Sequence, residues 1–98
     1  MEKLKGNYET VFIVNPELGE EKVQELVNKF KGMIENAATV TDVDEWGKRR
    51  LAYPIDDIAD GYYMVMRYTA DRDFPAELER VFNITEGILR SLTVRLDA

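Results

Sequence analysis

Two stretches of this chain repeat their apolar residues at the spacing of a helix, and four others are dense in β-branched and aromatic residues. From about Gly19 to Asn36, Val23, Leu26, Val27, Phe30, Met33 and Ile34 fall at offsets of 0, 3, 4, 7, 10 and 11, which puts them on one helical face. Glu20 and Glu21 complement the positive N-terminus of that helix. A second helix is predicted with Asp73 as its cap and Pro75 in its first turn. Its apolar face is Phe74, Leu78, Val81 and Phe82, and Asn83 to Gly87 ends it. Residues 7–14 read as a strand with little polar alternation, which suits a central position, and Asn15-Pro16 stops it. Residues 38–46 read as a charge-guarded edge strand. Gly47 fits a bulge, and the strand resumes through Arg50 to Tyr53 until Pro54. Asp56 to Gly61 is expected to be a turn, and Tyr62 to Tyr68 a second strongly apolar strand. Ile88 to Leu96 is the last, with Leu92, Val94 and Leu96 on one face and Ser91, Thr93 and Arg95 on the other.

The order strand, helix, strand, strand, helix, strand, with one apolar face per helix, predicts an α+β fold. Both helices cover one side of a four-stranded antiparallel sheet in the ferredoxin-like, split βαβ (βαββαβ) arrangement. The first and third strands take its centre. Residues 1–98 are expected to form one such domain, since 45% hydrophobic and 33% charged residues describe an ordinary globular chain. Helix-facing parity then leaves Val11, Ile13, Tyr63, Val65 and Arg67 on the open side, an apolar patch of the kind that marks a protein interface.

Chemistry is poorly provided for. The chain has no Cys and no His, which removes thiolates, disulfides and the commonest general base and metal ligand. Asp56, Asp57 and Asp60 lack the spacing of a calcium loop. No glycine-rich phosphate loop or Gly-x-Ser-x-Gly elbow occurs. No enzyme, cofactor or metal is expected. No apolar run approaches the roughly 20 residues that span a bilayer, and the first residues lack the apolar core of a signal peptide. A cytoplasmic location, without membrane or small-molecule substrate, is the expectation.

Charge is distributed unevenly. Against 19 Asp+Glu and 13 Lys+Arg overall, Lys48-Arg49-Arg50 is the one place where basic residues adjoin. Residues 71–86 and 56–60 are rich in acid, while 61–70 and 87–96 hold only arginine among charged residues. A basic sheet side is therefore compatible with a negative chain. The residues alone leave two readings of the triplet: a guard against edge-to-edge pairing, or a contact for a partner's carboxylates or for phosphate. The aromatic residues of the strands mostly share the helix-facing parity, and the motif of single-stranded RNA readers of this topology is absent.

The run Trp46-Gly47-Lys48-Arg49-Arg50-Leu51-Ala52-Tyr53-Pro54-Ile55 closely resembles the signature of the bacterial small-subunit ribosomal protein six family. The likeness extends over the chain, through Tyr8-Glu9-Thr10 to Asn15-Pro16, Gly61-Tyr62-Tyr63, Leu78-Glu79-Arg80 and Ile88-Leu89-Arg90. It implies a non-catalytic component of the small ribosomal subunit that binds the central domain of small-subunit ribosomal RNA as a heterodimer with ribosomal protein eighteen. By that resemblance Lys3, Lys5, Tyr8, Arg90 and Arg95 would meet RNA. Lys48, Arg49, Arg50 and Leu51, together with Val65 and Arg67, would meet the partner. Family members commonly carry Lys or Arg after Pro-Ile, where this chain has Asp56-Asp57. Two rivals share the topology, a homodimeric ferredoxin-like regulatory module and an acylphosphatase-like hydrolase. The latter lacks its anion loop here.

Overall fold

A computed structural model describes residues 5–55 and 58–96. Four strands and two helices follow in the expected order: β1 (Lys5–Val14), α1 (Glu20–Ala37), β2 (Thr39–Ile55), β3 (Ile58–Asp71), α2 (Phe74–Ile84) and β4 (Ile88–Arg95), with a short 3-10 turn at Pro16–Leu18. The sheet order is β2-β3-β1-β4, antiparallel throughout. The two most apolar strands are central, and this is the ferredoxin-like arrangement.

Three phenylalanines close the core between the helices and the sheet. Phe12 of β1 lies 5.7 Å from Phe30 of α1 and 5.1 Å from Phe82 of α2, and the two helical rings stack at 4.2 Å. Each is almost fully buried, and truncating such a ring to alanine costs about 3–5 kcal/mol. Tyr8, Met64, Met66, Tyr68, Leu78 and the apolar face of α1 complete this layer.

The hairpin of β2 and β3 departs from expectation. Residues 58–61 are strand and not turn, while Asp56 and Asp57 lie outside the described residues. Pro54 does not stop β2, which continues to Ile55. The ladder explains both findings. Arg50 pairs with Asp60 and Ile55 with Ile58, so residues 51–54 oppose residue 59 alone. A proline inside that excursion has no ladder hydrogen bond to donate. Gly47 does mark a bulge: the register shifts between Glu45 and Gly47, and Gly47 holds φ 77°, a conformation open to glycine at no steric cost. At α2, Asp73 occupies the cap position but makes no side-chain capping hydrogen bond, its backbone already being helical at φ −77°, ψ −23°. Asn83 belongs to the helix and does not break it.

The facing of β4 was not evident beforehand. Glu79 of α2 accepts hydrogen bonds from Ser91 Oγ (2.8 Å) and Thr93 Oγ1 (3.1 Å). Thr93 shares a bond of 2.9 Å with the fully buried Thr10, which shares one of 2.8 Å with Tyr68 Oη. A polar chain therefore runs from α2 across β4 and β1 to β3. Strand alternation then turns Leu92 and Val94 to the side without helices.

Candidate protein and nucleic-acid interface

The open side of the sheet is built in transverse rows set by the strand register. One row runs Asp42, Arg67, Glu9, Val94, the next Asp44, Val65, Val11, Leu92, and a third Gly47, Tyr63, Ile13, Arg90. Arg49 follows opposite Gly61. One end of this face is thus acidic, the other carries Arg49 and Arg90, and apolar residues lie between.

Its apolar exposure follows the sequence pattern only in part, with Val11 and Tyr63 half-buried. Val65 is 2% and Ile13 6% exposed. Val65 therefore has almost no surface to offer a partner. Exposure comes from the flanks, with Leu92 at 58% and Trp46 at 45%, and with Val94 and Leu96 beside Leu92. Trp46 stacks on Tyr63 with ring centroids 5.8 Å apart and planes 19° from parallel. The indole Nε1 donates to Asp44 Oδ2 at 2.8 Å, and Arg49 Nε donates to the Trp46 carbonyl at 3.3 Å. Trp46, Tyr63 and Arg49 line a shallow depression of about 420 Å³.

The basic triplet divides across the sheet. Lys48 pairs with Tyr62 and Arg50 with Asp60, both on the helix-facing parity, whereas Arg49 stands on the open side. Lys48 Nζ comes within 3.9 Å of the Asp60 carboxylate. The acid expected in a turn thus opposes the triplet from the neighbouring strand, and such an exposed pair adds little stability. Lys48 also borders a groove of about 490 Å³ with Pro16, Glu20, Val23, Gln24 and Tyr62. There Tyr62 donates to Glu45 and accepts from Gln24, and burial together with Glu45 raises its pKa.

Other expected contact residues fare differently. Arg67 is engaged within the chain: Nε donates to Glu9 Oε2 at 2.7 Å and Nη1 to Asp42 Oδ2 at 2.6 Å. It ties β3 to both its neighbours and is already neutralised from two sides. Leu51 is buried at 8%, folded over Gly61 and Ile13. Tyr8 is buried at 7% on the helix side, its ring 5.9 Å from that of Tyr68, so it presents no face on which a base could stack. Lys5, Arg90 and Arg95 are exposed. They do not form one cluster: Arg95 pairs with Tyr8 near Lys5, while Arg90 pairs with Ile13 at the other end of β1. Five residue steps along β1 separate Tyr8 from Ile13, about 17 Å. Lys3 lies outside the described residues.

Comparison with known proteins bears on what such a face belongs to. The family model described as Ribosomal protein S6 matches residues 7–95. The chain belongs to the ribosomal protein S6 family. That family is a structural component of the small ribosomal subunit, located in the cytoplasm with the ribosome, and is not an enzyme family. Small ribosomal subunit protein bS6 of Clostridium novyi is 51% identical over 89 residues, covering 90% of this chain and 94% of that one. Its counterpart from Clostridium botulinum strain Hall is 53% identical over 88 residues, with 89% and 94% covered. The crystal structure of 30S ribosomal protein S6 from Thermotoga maritima superposes with a TM-score of 0.86 at 32% identity, covering 94% of this chain and 88% of that one. An uncharacterised protein from the same organism, at 18% identity and a TM-score of 0.64, shares the fold alone.

The Trp46–Tyr63 stack, the clamp on Arg67 and the outward facing of β4 escaped sequence reasoning. Thr10 was the one available signal. A threonine amid the apolar run of a central strand needs a buried partner, and Thr93, the residue opposite it, supplies one.

Proposed function

We propose that the chain is a non-catalytic protein of the small ribosomal subunit that binds the central domain of its ribosomal RNA together with ribosomal protein eighteen. The observation that carries this reading is the open sheet face. It pairs exposed apolar residues at two flanks with an acidic end and a basic end, and among the described residues no helix covers it. Leu92, Val94 and Trp46 provide apolar contact, and the acid around Asp42 and Asp44 suits a basic protein. Arg49 with Lys48 and Arg50 forms a charged margin at the β2 edge. Lys5, Arg90 and Arg95, with Lys3 by family resemblance, contact phosphates from separate points, which positions the protein without reading sequence. Net charge −6 limits RNA affinity for the chain alone, so the partner must bring the rest of the positive charge.

Filter binding to a central-domain RNA fragment, with and without ribosomal protein eighteen and across a salt series, tests this. Weak retention alone and tight retention of the pair are expected, with affinity falling steeply as salt rises. A stable homodimer that retains no RNA in either condition refutes the reading.

A further inference from the structure

The surface around Trp46, at the edge of the depression it lines with Tyr63 and Arg49, combines two kinds of group that recognise the same ligand. Trp46 and Tyr63 offer stacked aromatic faces, with the indole 45% exposed. Asp44 lies against the indole edge, bonded to its N–H, and among the described residues no cation pairs with its carboxylate. Three carboxylates, Glu9, Asp42 and Asp44, occupy this end of the face, and Arg67 neutralises only the first two. A carboxylate keeps several acceptor positions after taking one N–H. An aromatic face beside an uncompensated carboxylate suits a planar cation, which stacks on the ring and forks to the oxygens.

We propose that the Trp46–Tyr63 shelf is the seat for an arginine side chain of a basic protein partner, stacked on the indole and bonded to Asp44. The proposal rests on the preceding functional reading and deepens it by naming the contact. A nucleobase fits the rings but not the charge, since its phosphates would lie beside Asp42 and Asp44. Arg49 lines the depression itself and bonds the Trp46 carbonyl, so the docked arginine approaches the indole from the Asp44 edge, away from that like charge.

Trp46 is the only tryptophan of the chain, so its fluorescence reports directly on the shelf. Ribosomal protein eighteen is titrated in, and the signal of the Trp46→Ala mixture is subtracted. The expected result is a change in Trp46 emission that saturates with complex formation. Trp46→Ala and Asp44→Asn should each weaken the complex about tenfold, the effect of losing a desolvated cation–π or charge-assisted contact. Asparagine can still accept the indole N–H, so Asp44→Asn removes the charge while leaving the shelf in place, and its unfolding midpoint should match the parent. If the complex forms with unchanged emission and both variants bind as the parent does, the arginine seat is refuted while the functional reading stands. If the parent forms no complex at all, that reading fails and the seat falls with it. Emission quenched by a single-stranded RNA oligonucleotide, and unmoved by the protein partner, would make the shelf a base platform and overturn the proposal.

Discussion

Replacing Gly61 by alanine tests how the β2 edge is held to the sheet. Gly61 lies on β3 opposite Arg49, beneath two buried side chains of the open face. A methyl group there would stand 2.3 Å from Cγ2 of Ile13 and 3.1 Å from Cδ2 of Leu51, against an optimal carbon separation of about 3.5–4.0 Å. The Leu51 atom ends a flexible side chain and can yield. The Ile13 methyl sits on a β-branched carbon with few χ1 options, so relief requires movement of β1 or β3. Overpacking of this kind costs about 1–3 kcal/mol, and the lower entropy of the unfolded alanine chain returns about 0.4–1 kcal/mol. A net loss of about 1.5 kcal/mol is expected, a fall in Tm of about 6–12 °C for a domain of this size. Urea and thermal unfolding followed by circular dichroism measure it. Ile13→Leu moves the branch away from Cβ and should restore part of the loss in a double-mutant cycle. A Gly61→Ala protein within about 0.5 kcal/mol of the parent, as for an ordinary surface change, would refute the packing argument, and so would the absence of coupling to Ile13.

Tyr68→Phe should alter the response to alkali. Burial raises the pKa of Tyr68 above its ordinary 10.0, so the folded state holds the phenol neutral where the unfolded chain ionises. That contribution is fully present below pH 10.0 and declines as pH rises from there towards the raised value. The variant should lose about 1 kcal/mol at neutral pH from the missing hydrogen bond and show a shallower decline above pH 10.0, with Tyr62 supplying what remains. An unchanged alkaline limb in stability-versus-pH measurements would contradict this. Arg49→Glu combined with Arg50→Glu should weaken binding of ribosomal protein eighteen by about tenfold or more, because the new carboxylates would repel the partner carboxylates that this basic margin meets. Its thermal midpoint should stay close to the parent's, since both side chains are exposed. Unchanged affinity in a pull-down or titration would leave the pair only the role of guarding an edge.

Much of the architecture is legible in the sequence, for a physical reason. Helical and strand periodicities are local, so the residues from Val23 to Ile34 and the apolar runs around Phe12 and Met66 declared their elements within a few residues of themselves. Two helices with one apolar face each then admit few ways to cover a sheet. The bulge at Gly47 was legible because its conformation suits glycine. The strand character of residues 58–61 was not, since Asp60 and Gly61 carry turn chemistry and only pairing with Arg49 and Arg50 overrides it.

The candidate face divides along the same line. Sequence alone established the acid and base inventory, the lack of histidine and cysteine, the basic Lys48-Arg49-Arg50 triplet within its signature run, and the family. Tertiary structure decided which of those residues are available. It buried Tyr8, Val65 and Leu51, committed Arg67 to Glu9 and Asp42, turned Leu92 and Val94 outward, and set Trp46 on Tyr63. Each of those outcomes depends on residues brought together across strands, as far as 87 positions apart for Tyr8 and Arg95. Alternation within a strand separates its two faces, but which face meets the helices depends on partners such as Glu79 and Thr10, and those lie elsewhere in the chain.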